Sequence, residues 1–238
     1  MKKQIIISVL LSLVFYSCDN SVDNNEKTFY ERYILDASSL IIDATIERIK
    51  ISEDSTSSNV VVNLTDKSDY EKISIKNGII KINGIELNFS KESLDYKSSS
   101  LNINPDTYYE IEIFLSNGER ITNSIKTQNK IPIFLSLPET QERNKDLIVK
   151  WDLSSIQDRF FLEFWYINSI GPQQISYNLI NISDGELIIP SSSFGWLTDS
   201  TKTLHLKLVS RNLSYFNNTN SKISSNFYSE EKIINLIP

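Results

Sequence analysis

Apolar and polar residues alternate along most of the chain after residue 28. This period of two residues is typical of β-strands with one buried face. The alternating runs follow one another at short intervals, with turn residues between them. We find no long segment with the 3.6-residue period of an amphipathic helix. The pattern therefore predicts an all-β protein.

In the first half, the pattern predicts strands at residues 44–51, 60–64, 73–75 and 79–82. Two Asn-Gly pairs, at 77–78 and 83–84, follow the last two of these strands. Asn-Gly between apolar runs is a strong hairpin signal because both residues accept a positive φ. We therefore expect a small antiparallel meander over residues 73–87.

A Pro-containing loop at residues 103–108 leads into a strong alternating strand that starts at Tyr109. The turn Asn117-Gly118 then reverses the chain into residues 121–127. One face of the strand is apolar and consists of Tyr109, Ile111, Ile113 and Leu115. These features predict a hairpin with a buried face.

The run from Ile103 through Pro105 and Thr107 to Tyr109 resembles the entry to a central strand of fibronectin type III and immunoglobulin-like (Ig-like) sandwiches. The resemblance covers about 25 residues and implies a tyrosine corner, in which the Tyr109 hydroxyl bonds to backbone a few residues upstream. The alternative is a chance strand after a Pro-containing loop.

Residues 128–132 look like a boundary, after which strands are predicted at 147–151, 160–167, 175–180, 186–189 and 204–209. Trp151 ends an apolar face and is a predicted core residue. Residues 212–226 are mostly Asn and Ser and predict a long loop before a last strand at 232–237. We expect two Ig-like antiparallel β-sandwiches, over residues 29–128 and 129–238.

The N-terminus has a basic start at Lys2 and Lys3 and an apolar run at residues 5–16. The run is shorter than the ~20 residues that a membrane-spanning helix needs, so it indicates a removable export signal. Ser17 then precedes Cys18, the only cysteine.

This arrangement resembles a Bacteroidota-type lipoprotein signal, although Phe15 and Tyr16 depart from the usual pattern. The resemblance implies removal of residues 1–17, lipidation of Cys18 and a disordered tether over 18–28. The alternative is that Cys18 is an ordinary thiol.

Charge narrows the choice of partners. Loss of Lys2 and Lys3 lowers the basic count from 24 to 22 against 30 acids, so the mature chain has a net charge of −8. Such a chain is a poor candidate for nucleic-acid binding, which depends on Lys and Arg side chains that neutralise the phosphates. We expect a membrane association through the N-terminal lipid at the outer membrane. Asp19 and Asp23 weakly resemble a surface-export signal, which favours the cell surface over the periplasmic face.

No catalytic signature is evident. His205 is the only histidine and shares a polar strand face with Lys207. Calcium loops, phosphate-binding glycine loops and serine-hydrolase elbows are missing from the sequence. We therefore predict no enzyme activity, cofactor or metal. A glycosidase needs only two carboxylates at a fixed separation, so a hydrolase is kept as a less favoured alternative.

The aromatic strand at residues 160–166 is the best candidate binding surface. Its inward positions are predicted to be Phe160, Leu162, Phe164 and Tyr166. Phe161 and Trp165 then point outward and are available to a sugar ring or a protein partner. Phe194 and Trp196 form a second candidate, and Phe114 is a third. The alternative is that these aromatics are buried on both faces or at a domain junction.

Two triplets, Asp54-Ser55-Thr56 and Asp199-Ser200-Thr201, resemble a Bacteroidota-type O-glycosylation motif and mark Ser55 and Ser200 as candidates. The sequence thus favours a lipid-anchored cell-envelope protein with a non-catalytic binding or adhesion role toward protein or glycan. The competing interpretation is a periplasm-facing structural or accessory subunit of an envelope complex.

Overall fold

A computed structural model describes residues 31–98, 100–152, 159–168, 171–179, 185–194, 197, 201–217 and 220–237. Strands dominate this part of the chain, as the alternating pattern predicts, and the only helical turns described are short 3-10 turns such as Ala37–Ser39. None of the described helices is long and apolar enough to cross a membrane.

The first half contains ten described strands. They are β1 Glu31–Arg32, β2 Leu40–Ser52, β3 Ser55–Asp66, β4 Ser74–Ile75, β5 Ile79–Ile82, β6 Ile85–Glu86, β7 Asn88–Ser90, β8 Asp95–Ser98, β9 Tyr108–Phe114 and β10 Arg120–Lys126.

The second half contains nine described strands. They are β11 Phe134–Ser136, β12 Thr140–Glu142, β13 Leu147–Trp151, β14 Phe160–Asn168, β15 Gly171–Asn178, β16 Glu186–Ile189, β17 Thr203–Tyr215, β18 Lys222–Tyr228 and β19 Lys232–Ile237.

One long sheet extends through both halves of the chain, and we call it the shared sheet. Its order is β12-β19-β17-β18-β2-β3-β8-β7, and the hairpin of β14 and β15 joins it through β14 and β17. A smaller sheet, β10-β9-β5-β6, accompanies the first half, and another, β11-β13-β16, accompanies the second. The result is an all-β fold of Ig-like sandwiches.

The first core lies between the shared sheet and the β10-β9-β5-β6 sheet. The shared sheet contributes side chains such as Ile42, Ile46 and Val62, and the smaller sheet contributes Ile80 and Ile111. The predicted apolar face of β9 is confirmed, because Tyr109, Ile111, Ile113 and Leu115 are all buried.

The second core lies between the shared sheet and the β11-β13-β16 sheet. Trp151 is 1% exposed and packs near Phe160, with 6.0 Å between the ring centroids. Leu204, Leu206 and Leu208 of β17 point into the same core. The prediction of Trp151 as a core residue is confirmed.

The long loop predicted over residues 212–226 is wrong. β17 continues to Tyr215, and β18 begins at Lys222. β18 pairs with β17 on one side and runs parallel to β2 on the other, with Ile223 opposite Ala44. Asn and Ser are poor strand formers in isolation, but here Ile223 and Phe227 anchor the strand in the first core.

The two Asn-Gly pairs behave differently. Asn83 and Gly84 both have positive φ and form the predicted hairpin between β5 and β6. Asn77-Gly78 does not form a hairpin, because β4 pairs with β1 and β5 pairs with β9. A Cβ at Gly78 would lie 2.5 Å from the Phe114 carbonyl oxygen, so this glycine permits close approach of two backbones.

Gln128 joins the two cores. Its side chain is fully buried, and its Nε2 donates to the carbonyl oxygens of Ser210, at 2.9 Å, and Ser225, at 2.6 Å. The Ser225 hydroxyl donates to Gln128 Oε1 at 2.8 Å. The residue at the predicted boundary is therefore bonded to both β17 and β18.

Candidate functional site

The shared sheet has one face toward both cores and a second face without a covering sheet among the described residues. We call this second face the open face. On β14 it carries Phe161, Glu163 and Trp165, since the intervening residues are buried in the second core. The predicted orientation of Phe161 and Trp165 away from the core is thus confirmed, and both side chains are half-buried.

Trp165 lies beside a polar cluster on β17. Its ring stacks on the His205 imidazole at 5.4 Å between centroids and 20° between planes. Lys207 Nζ lies 5.0 Å from the indole centroid, within cation–π range. The predicted placement of His205 and Lys207 opposite the leucines of β17 is confirmed by the burial of those leucines.

Glu231 contacts both His205 and Lys207 of this cluster. Its Oε1 lies 2.7 Å from His205 Nδ1, and its Oε2 lies 3.4 Å from Lys207 Nζ. The carboxylate thereby restricts the side chains that contact Trp165. Such fixed partners reduce the entropy that a binding surface loses when a ligand orders it.

Phe161, like Trp165, has a cation above its ring. The guanidinium carbon of Arg211 lies 5.3 Å from the Phe161 centroid. Arg211 Nε donates to Asn226 Oδ1 at 2.8 Å, and Nη2 lies 3.8 Å from Glu163 Oε1. Burial raises the pKa of Glu163, and the positive charges of Arg211 and Lys207 oppose that shift.

The open face crosses from one half of the chain to the other. Tyr228 of β18 donates its hydroxyl hydrogen to Glu47 Oε1 of β2 at 3.3 Å. Burial raises the pKa of Tyr228, and the negative charges of Glu47 and Glu163 add to the effect. The face therefore combines aromatic rings with alternating charges that are already paired.

This arrangement suits recognition better than catalysis. The rings offer apolar surface, and the surrounding charged and amide groups offer hydrogen bonds, which is the combination that interfaces and sugar sites use. Among the described residues, no group of three or more His, Cys, Asp or Glu side chains is placed to hold a metal ion.

The second aromatic candidate is not on the surface. Phe194 is 3% exposed and belongs to the second core, because the 3-10 turn Ser191–Phe194 points its ring inward. The prediction of Phe194 as a surface residue is wrong. Trp196, its predicted companion, lies outside the described residues.

The other predicted sites are widely separated. Phe114 is half-buried on the β10-β9-β5-β6 sheet, with Lys81 Nζ 5.4 Å from its centroid. Ser55 is exposed at the first position of β3, beside the tight turn from β2. Its role as a glycosylation site stays a prediction. Cys18 and Ser200 lie outside the described residues.

Sequence reasoning missed Arg211, Glu231 and Tyr228. Arg211 and Tyr228 lie between the predicted strands 204–209 and 232–237 and on either side of the predicted loop 212–226, so their faces were not assigned. For Arg211 the missed signal is its position, which follows the same two-residue period as His205 and Lys207 along β17.

Comparison with known proteins adds no argument about the fold or the function of this chain. No protein-family model matches the chain. No curated protein matches either. The FN1–FN3 domains of chicken CNTN1 are 11% identical, with 88% of this chain and 69% of that chain covered and a TM-score of 0.30.

Fibronectin(III)-like modules of Clostridium thermocellum CbhA are also 11% identical, with 83% of this chain and 93% of that chain covered and a TM-score of 0.26. At these scores neither similarity bears on function. The description of the fold rests on the sheets and cores reported above.

Proposed function

We propose that this protein is a non-catalytic recognition protein of the cell envelope, anchored through a lipid on Cys18, and that the open face contacts a glycan or protein partner. The observation that supports the proposal is the pair of outward rings, Phe161 and Trp165, each held beside a cation on a face that no second sheet covers among the described residues. Aromatic residues with polar surroundings contribute most of the energy at many interfaces.

The test is a binding screen of the full chain, purified in detergent, against a glycan array and envelope extracts. Trp165→Ala should weaken binding at least tenfold, because a central aromatic contact commonly contributes ~2 kcal/mol. Tyr108→Ala is the matched control, since Tyr108 also lies under a lysine but on β9 of a different sheet. Equal losses in both variants would contradict a role for the open face.

The location of the protein is part of the proposal. We favour the cell surface. To test this, the protease accessibility of the wild type and of Cys18→Ala is compared on intact cells. We expect accessible wild-type protein and release of the variant from the membrane fraction. Protection until the outer membrane is opened would instead support the periplasm-facing accessory subunit.

That accessory role has one structural observation in its favour. Ile148 and Ile188 are register partners on the outer side of the β11-β13-β16 sheet, and they are 45% and 53% exposed. Exposed apolar pairs of this kind can contact a neighbouring subunit. Co-purification with an envelope complex that Ile148→Lys abolishes would favour this role over recognition by the open face.

A further inference from the structure

A cavity of about 370 Å³ lies on the open face where the two halves of the chain meet. β17, β18 and β2 line it, together with Arg159, which directly precedes β14. Its volume falls within the range of small-ligand sites, about 300–1,000 Å³. The cavity is separate from the cluster around Trp165, whose residues do not line it.

The charge of this cavity is opposite to that of the whole chain. Arg159, Arg211 and Lys222 line it, and Asp43 is the one carboxylate among its lining residues. The protein as a whole has a net charge of −6. A local excess of cations in an acidic protein raises the local concentration of anionic ligands.

Two of the three cations keep donors available. Contacts with Asn226 and Glu163 use Nε and Nη2 of Arg211 and fix its guanidinium. The structure assigns Arg159 no ion pair among the described residues, and its side chain is exposed. Guanidinium groups bind the planar carboxylate with two parallel hydrogen bonds. Lys222 differs, since its Nζ lies 3.4 Å from Asp43 Oδ2.

The remaining lining favours a sugar over a peptide. The Thr45 and Ser224 hydroxyls lie 3.3 Å apart. The Ser224 hydroxyl is buried and donates to the Ala44 carbonyl at 3.4 Å, so the half-buried Thr45 hydroxyl is the one placed to bond to a sugar hydroxyl. Tyr215 stands at the rim and is 56% exposed, which leaves its ring available for stacking. An acidic peptide would use the same cations, so oligoglutamate is the competing ligand in the test below.

We propose that this basic pocket binds an anionic saccharide, with Arg159 and Arg211 contacting its carboxylate or sulfate. The proposal extends the recognition function to a second site on the same face. It rests on that function only in assuming that the open face meets a ligand.

The test uses the full chain in detergent and isothermal titration with four probes: an oligogalacturonate, a sulfated galactan oligomer, a neutral oligogalactose of equal length, and oligoglutamate. We expect one or both anionic sugars to bind, and the neutral sugar and the peptide to bind at least tenfold more weakly. Carboxylate and sulfate sources are distinguished by which anionic sugar binds more tightly.

Arg159→Gln should weaken the binding of the anionic sugar about tenfold or more, as expected for a lost charge-assisted hydrogen bond. Arg120→Gln removes the same charge from β10, on the other sheet of the first sandwich, and should change the affinity less than twofold. Equal effects of the two variants, absence of binding by both anionic sugars, or tighter binding of oligoglutamate would each overturn the proposal.

Trp165→Ala separates this proposal from the first one. Loss of binding in Trp165→Ala with normal binding in Arg159→Gln would overturn the basic pocket and leave the Trp165 site supported. The reverse result would support the pocket and show that Trp165 does not contact this ligand, while the binding screen described above decides the role of Trp165.

Discussion

At the scale of single residues, the buried side chain of Gln128 makes three hydrogen bonds to β17 and β18 at the junction of the two halves. Replacing it with Ala leaves the carbonyls of Ser210 and Ser225 and the Ser225 hydroxyl without this amide. Unsatisfied buried groups cost about 1–3 kcal/mol each, so the loss of three contacts predicts a decrease of at least about 3 kcal/mol in the free energy of unfolding. Urea denaturation measures it.

The control for Gln128→Ala is Gln174→Ala, on the solvent side of the edge strand β15. Its unfolding midpoint should stay within error of the wild type. A Gln128→Ala midpoint equal to that of the control would show that the bonds across the junction add no net stability.

Tyr109 offers a second residue-scale prediction. The resemblance to fibronectin type III predicts a tyrosine corner, and the structure has one: the hydroxyl donates to the Asn102 carbonyl at 3.2 Å and accepts from the Asn104 amide at 2.8 Å. Tyr109→Phe should lower the unfolding free energy by about 1–3 kcal/mol. Tyr108→Phe is the control, because Tyr108 is 67% exposed. Equal stabilities of the two variants would contradict the role of the corner.

Apolar residues occupy both faces of β14, so the sequence predicted the orientation of its side chains only from their two-residue period. The face with Glu163 was taken as the outward one, which places Phe161 and Trp165 outward as observed. The partners of these rings were not predictable to the same degree. Arg211 and Glu231 reach them through pairings between distant strands, which no local pattern encodes.

At the scale of elements, an ion-pair cluster attaches β1 to the end of β3. Arg32 Nη1 and Nη2 lie 2.6 Å from Asp66 Oδ2 and Asp69 Oδ2. Hydrogen bonds from Ser68 and from Arg32 hold the pKa of Asp66 below its usual range, and Arg32 does the same for Asp69. A lowered carboxyl pKa contributes stability that is present above the unfolded pKa of about 3.9.

This stability is lost as the pH falls through the lowered folded-state pKa values. We therefore expect Asp66→Asn to flatten the decline in unfolding free energy below about pH 4. Asp54→Asn, in the exposed turn between β2 and β3, is the control and should keep the wild-type slope. Parallel pH profiles for all three proteins would exclude the cluster as a source of acid sensitivity.

β18 shows why one element escaped prediction. Its sequence, Lys-Ile-Ser-Ser-Asn-Phe-Tyr, has only two large apolar side chains in the core, four residues apart. Its place is set by two neighbours, β17 and β2, which supply the backbone partners on both edges. By contrast, β16 and β19 were predicted at their observed bounds because each is a short run dense in Ile and Leu, and Gly185 and Pro190 flank β16.

At the scale of the whole molecule, the shared sheet makes the two cores dependent on each other. β17 places Leu206 in the second core, and Phe216, just after its end, lies in the first. β18 belongs to the second half of the sequence but fills the first core with Ile223 and Phe227. In two independent sandwiches, Phe216, Ile223 and Phe227 would have packed in the second core with the rest of the second half.

This dependence predicts one cooperative unfolding transition for the full chain. All three tryptophans lie in the second half, at positions 151, 165 and 196, so their fluorescence reports on that half. Ile111→Val changes a fully buried residue of β9 in the first core and should cost about 0.5–1.5 kcal/mol. Because β17 and β18 link the cores, the tryptophan midpoint in urea should shift by the same amount as the midpoint from far-ultraviolet circular dichroism.

The control is Ile148→Val, at a position that is 45% exposed on the outer side of β13. It should shift both midpoints far less than Ile111→Val does. A tryptophan midpoint that stays fixed in Ile111→Val while circular dichroism resolves two steps would mean that the halves unfold separately. The basic pocket, which takes Thr45 from β2 and Ser224 from β18, would then depend on contact between two separately unfolding units, whereas a single transition makes it a property of one folded unit.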